Sequence, residues 1–81
     1  GLCMIQKIRQ DKSIGDNLRK LRCKNGFSQE KLCVELQRRQ CDIGRTTYAK
    51  YESGELNIKV TVLKELKNLY KCEYDDFFDG I

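Results

Sequence analysis

The sequence predicts an all-α fold, a compact bundle of about five short helices. Three observations predict it. Apolar residues recur at helical spacing in separate stretches: Ile14, Leu18 and Leu21, then Leu32, Cys33 and Leu36, then Val62, Leu66 and Leu69. Start and stop residues stand between those stretches: Ser28 before the second, Asn25-Gly26 after the first, and Gly54 after a polar stretch. The composition, 35% charged and 40% hydrophobic, suits a soluble helical domain and argues against disorder.

Length and charge bound the rest. The chain has 81 residues, enough for one small domain with a modest core. No apolar run approaches the ~18 residues that span a bilayer. No charged-then-apolar leader is evident, so a cytoplasmic location is expected. The formal net charge of +4 permits nucleic-acid binding without establishing it. The five cysteines, Cys3, Cys23, Cys33, Cys41 and Cys72, are odd in number and poorly spaced for a disulfide framework. With no His and no Cys-x-x-Cys, a zinc site would need four scattered thiolates, so no metal or other cofactor is expected. Cys23, Cys33 and Cys72 are expected in the core, and Cys3 and Cys41 at the surface.

Taken in order, residues 1–12 show no helix cap and are expected to form a loosely ordered arm. Their Lys7, Arg9 and Lys12 are within the repertoire of phosphate contacts. The domain proper is expected over residues 13–81. Ser13, with Asp16 three residues on, opens the first helix, which runs to Asn25. Ser28 caps the second, which runs to about Gln40, and Phe27 and Leu32 are placed for a hydrophobic staple. Arg38 and Arg39 suit the negative pole of its dipole; they could also reach a phosphate backbone. Gly44 is the candidate cap of the third helix, Arg45 to about Glu52, with Ile43 and Tyr48 as its staple. Gly54 fits the left-handed position beyond its end. A loop over residues 55–59 leads to the fourth helix, Val60 to Lys71, with Leu63 and Tyr70 widening its apolar stripe. Asp75 to Phe78 is expected as a last short helix. One of Phe77 and Phe78 should seal the core; the other, with Ile81, is a candidate for a dimer surface.

The central stretch resembles a known family. Ser28-Gln29-Glu30, Leu32-Cys33, Leu36, Ile43, Arg45-Thr46-Thr47-Tyr48, Lys50-Tyr51-Glu52 and Gly54 match the helix-turn-helix pattern of the XRE family, which includes Cro and lambda repressor. The similarity extends from about Ile14 to Gly80, and Tyr74-Asp75-Asp76-Phe77-Phe78 looks like the family's closing helix. Matches at so many spaced positions form a strong signal, where any one alone would be weak. The chain departs from the pattern in its connector. Residues 37–44 stand where the family has a turn of about three residues, which reads as an extended second helix plus a longer turn. Cys33 replaces the usual Ala, Gly44 a Ser or Thr cap, and Glu55 a frequent basic residue.

The resemblance implies a lambda repressor-like DNA-binding domain whose third helix enters the major groove, where base edges carry a readable donor and acceptor code. Arg45 would take guanine bidentately, and Thr46 and Thr47 would contact base edges, with Thr47 partly serving packing. Lys50 suits a phosphate. Gln29 would bridge the DNA backbone and the recognition helix, at a helix N-terminus that itself favours an anion. Asn57 and Lys59 would add phosphate contacts. Arg22 is implied to pair with Glu52. Tyr48 and Tyr51 are expected to be core residues. Without the surrounding motif, Arg45, Thr46, Thr47 and Lys50 would read as the wet face of an amphipathic helix.

The expected function is therefore sequence-specific binding of double-stranded DNA by a homodimer on a palindromic operator, in transcriptional regulation and most simply repression. No His base, Gly-rich phosphate loop or carboxylate pair points to an enzyme, and no small-molecule ligand or membrane partner is indicated. Two other classes stay open: an antitoxin-like module that neutralises a partner and binds DNA only for autoregulation, and a protein-interaction domain without DNA binding.

Overall fold

The computed structural model describes residues 14–80. The expected arm with Lys7, Arg9 and Lys12, the Ser13 cap, Cys3 and Ile81 lie outside the described residues. The architecture is all-helical: α1 (Gly15–Lys24), α2 (Gln29–Arg38), α3 (Arg45–Ser53) and α4 (Val60–Tyr70), closed by a 3-10 turn (Tyr74–Phe77). Helices α1 and α2 pack against α3, and the 3-10 turn returns to α1. One core unites Leu18, Leu32, Leu36, Tyr48, Leu66 and Phe77, each almost wholly buried. No helix among the described residues is long and apolar enough to cross a membrane.

The helix ends follow from local chemistry. The Ser28 hydroxyl accepts from the Lys31 backbone N–H at 3.0 Å, satisfying one of the orphan donors of α2. At the end of α1, Gly26 adopts φ +81°. There the Gly26 N–H donates to Cys23 O, and the Phe27 N–H to Arg22 O at 3.1 Å, the Schellman arrangement. The same pair of bonds ends α2, with Gln40 in the left-handed position at φ +66° and the Cys41 N–H donating to Leu36 O at 2.8 Å. Lys71, at φ +54°, plays this part after α4.

These caps revise several expectations. Helix α2 ends at Arg38 rather than near Gln40, because the left-handed turn interrupts it; the connector is residues 39–44, braced by the Gln37 amide on Ile43 O at 3.2 Å. The same turn folds Cys41 back on the core, so it is half-buried rather than exposed. Cys23 is exposed, not buried: on a helix of 3.6 residues per turn it lies across from Leu21 and off the apolar stripe. Cys33 is buried and Cys72 half-buried. Thr47 is exposed, while the Tyr48 and Tyr51 rings fill the core side of α3. The last helix starts one residue early and is 3-10, set by reciprocal capping between Glu73 and Asp76. Phe77 seals the core and Phe78 is exposed. The Asn17 amide donates to Phe77 O and Asp79 O, both at 2.9 Å, and so ties this turn to α1.

Gly15, at the start of α1, marks a close crossing with α3. A Cβ there would overlap the backbone carbonyls of Glu52 and Tyr51 at the end of α3. Only glycine lets the two backbones approach so closely.

Candidate nucleic-acid interface

Helix α3 has two unlike sides. Its inner side carries Tyr48 and Tyr51, packed edge to face with ring centroids 6.4 Å apart. Its outer side borders an open groove of about 350 Å3, lined by Arg45, Thr46, Ala49, Lys50, Ser53 and Glu55. The groove thus gathers three of the predicted contact residues, Arg45, Thr46 and Lys50. All three side chains are exposed. Thr47 is exposed on the same helix but outside that lining. Lys59 is exposed at the N-cap of α4, and Asn57, also exposed, lines a separate apolar groove.

Two groove residues, Ala49 and Ser53, were not singled out from the sequence, and a third, Glu55, was noted only as standing where the family often has a basic residue. Spacing could have found the first two, since positions 45, 49 and 53 share one helical face. Glu55 lies beyond the helix. Its backbone N–H donates to the Ser53 hydroxyl, and that hydroxyl meets the Glu55 carboxylate at 3.1 Å. A carboxylate is thereby held at the rim of an otherwise cationic groove.

What fixes α3 in place is a polar cluster at its far end. Arg22 Nε donates to Glu52 Oε2 at 2.7 Å and Nη2 to Oε1 at 3.1 Å, a bidentate pair. The side chains are only 11% and 6% exposed. Arg22 Nη1 also donates to Phe27 O at 2.9 Å, and the Gln29 amide donates to Glu52 Oε1 at 3.0 Å. One carboxylate therefore joins α1, α3 and the first turn of α2. Burial by itself would raise the Glu52 pKa. The hydrogen bonds from Arg22 and Gln29, with the nearby Tyr48 hydroxyl, outweigh it and hold the carboxyl below its ordinary value of 4.5. The Tyr48 hydroxyl faces this carboxylate and is coupled to it, without a hydrogen bond of good geometry; burial first, and then that carboxylate, push its pKa up. Gln29 is accordingly half-buried, with its amide N–H engaged inside the protein.

The arginines at the end of α2 are also engaged. Arg38 meets Glu35 at 3.4 Å, while Arg39 reaches Glu35 and, on α4, Glu65, each at 3.7 Å. Arg39 thus braces α2 against α4. Burial pushes the Cys33 thiol pKa up, which leaves it a packing residue rather than a reactive one. No cluster of three or more metal-ligating side chains occurs among the described residues.

Comparison with known proteins identifies the family from the sequence. A family model described as "Helix-turn-helix" matches residues 18–77, which includes all of α2 and α3. No curated protein and no solved structure matches the chain.

Proposed function

This chain belongs to the helix-turn-helix family, and from that premise we propose that it binds double-stranded DNA sequence-specifically to regulate transcription, most simply as a repressor. One observation carries the reading. Arg45, Thr46 and Lys50 converge on the exposed side of a helix whose other side is locked into the core. A helix so fixed can present its outer side to the major groove as a rigid unit.

In this reading Arg45 takes a guanine edge, with Thr46 and Thr47 beside it. Lys50, Asn57 and Lys59 meet phosphates and set the register. Gln29 gives one amide N–H to Glu52, which leaves the rest of its amide, together with the unpartnered backbone N–H groups in the first turn of α2, to meet a phosphate. A homodimer would place two α3 helices about one helical turn apart, ~34 Å, on a palindromic operator.

Selection from a random duplex pool at two salt concentrations tests the proposal. The expected result is an enriched motif with two-fold symmetry. Binding without enrichment, lost steeply with salt, would reduce the activity to counterion-driven attraction to phosphate and refute sequence reading. Absence of binding would favour the protein-interaction class, to which the Glu55 carboxylate in the groove lends its one structural argument.

A further inference from the structure

Five large hydrophobic residues are exposed among the described residues. Val34 stands alone on α2, and Tyr74 lies under the Lys67 ammonium, 5.3 Å from the ring centroid. The other three converge. Leu56, Val60 and Phe78, 44%, 76% and 47% exposed, line one groove of about 350 Å3, floored by Tyr51 and Leu63 and closed by Ile14. They come from the α3–α4 loop, the first residue of α4 and the end of the 3-10 turn. Scattered surface apolar residues need no explanation, but a convergent set of this kind marks an interaction site. No charged side chain lines the groove, so it suits an apolar occupant and not a phosphate backbone.

The chain itself supplies such an occupant. Ile14, on the edge of the groove, is the first described residue, so residues 1–13 join the domain at this point. Next to it in sequence stand five polar residues, Arg9-Gln10-Asp11-Lys12-Ser13. Before them comes Leu2-Cys3-Met4-Ile5-Gln6-Lys7-Ile8, in which Met4 and Ile5 precede Ile8 by four and three positions. On a helical turn that spacing would put all three on one face. A polar connector of this length is ordinary, and from Ile8 to Ile14 the chain reaches up to roughly 20 Å. A tether so short holds the segment at an effective concentration on the order of millimolar, which favours it over a partner that must diffuse in. We propose that Met4, Ile5 and Ile8 seat in this groove, against Leu56, Val60 and Phe78 of the same chain. The seated segment braces the α3–α4 loop against the start of α1, in place of the loosely ordered arm expected from the sequence. The inference does not depend on DNA binding.

Methyl-resolved NMR on the full chain tests it. Contacts are expected from the Ile5 and Ile8 methyls to those of Leu56 and Val60, within one molecule. Mixing isotope-labelled with unlabelled chain identifies their source. Contacts found only between molecules would overturn the proposal in favour of a second copy, and no contacts at all would overturn it outright. Thermal unfolding of Ile8→Glu, Val60→Glu and the double variant gives an independent reading, with circular dichroism to check that each folds. Val60 is exposed at the first position of α4, where a carboxylate suits the helix dipole. With an open groove, Val60→Glu should therefore leave the melting midpoint unchanged. With the segment seated, each single variant should lower the midpoint by about 4–8 °C. The double variant should fall no further than the worse single one, because both break the same contact. An unchanged midpoint in Val60→Glu, or losses that add, would overturn the proposal. Val60→Ala repeats the comparison without a charge, and its smaller loss should vanish when Ile8→Glu is already present.

Discussion

Replacing Glu52 by Ala removes the carboxylate that Arg22 and Gln29 share. Arg22 would keep its bond to Phe27 O, but its guanidinium would lie in a site only 11% exposed with no counter-charge. Breaking a buried pair in this way costs about 3–5 kcal/mol, because the surviving ion is left without compensation. The lower end of that range is expected here, since one of the Arg22 donors stays satisfied. Against a total stability of 5–15 kcal/mol for ordinary domains, a loss of ~3 kcal/mol is large. At about 4–8 °C per kcal/mol for a domain of this size, the melting midpoint should fall by roughly 12–24 °C. Urea unfolding followed by circular dichroism measures the loss directly. The pair Arg22→Leu with Glu52→Leu should recover most of it, because both charges leave together. A Glu52→Ala loss below ~1 kcal/mol would refute the argument that this cluster locks α3. Acid gives an independent check. The Glu52 pKa is lower in the folded chain than the ordinary 4.5, so its contribution is complete above that value and disappears as pH falls through the lowered one. In Glu52→Gln, this component of the acid sensitivity should be absent.

Gly15→Ala should destabilise by ~1–3 kcal/mol, because its Cβ meets backbone carbonyls of α3 that have no rotamer to yield; unchanged urea midpoints would mean that α1 can shift freely. Gln40→Gly should stabilise by about 0.5–1 kcal/mol by relieving a left-handed non-glycine residue whose side chain is exposed; a lowered midpoint would show that the unfolded-state entropy of glycine dominates instead. Arg45→Ala should relax preference at one base pair by ~1–3 kcal/mol, read by competition between selected duplexes; retention of the wild-type preference would rule out the proposed docking. Lys59→Ala should weaken all duplexes alike and flatten the salt dependence, and a loss confined to one sequence would contradict a phosphate role.

The amino-acid sequence by itself determined the helices, because their signals are local. Ser28, Gly26 and Gly54 act within one turn of themselves, and the stripes of α1, α2 and α4 need only the 3.6-residue period. The face formed by Arg45, Thr46 and Lys50 was legible for the same reason. Arg22 and Glu52 stand 30 residues apart, so nothing local links them; family resemblance suggested their pairing, and the packing of α1 on α3 sets its distance. The tertiary structure alone decided where chain segments meet. Gly15 looked like an ordinary first-turn glycine until α3 was seen to cross over it. The depths of Cys23 and Cys41 exchanged relative to expectation, because one is set by a helix's rotation and the other by a left-handed turn without glycine. The apolar groove of Leu56, Val60 and Phe78 has no sequence signature. Its residues come from a loop, a helix start and a terminal turn, and only the closing of the 3-10 turn onto α1 brings them together.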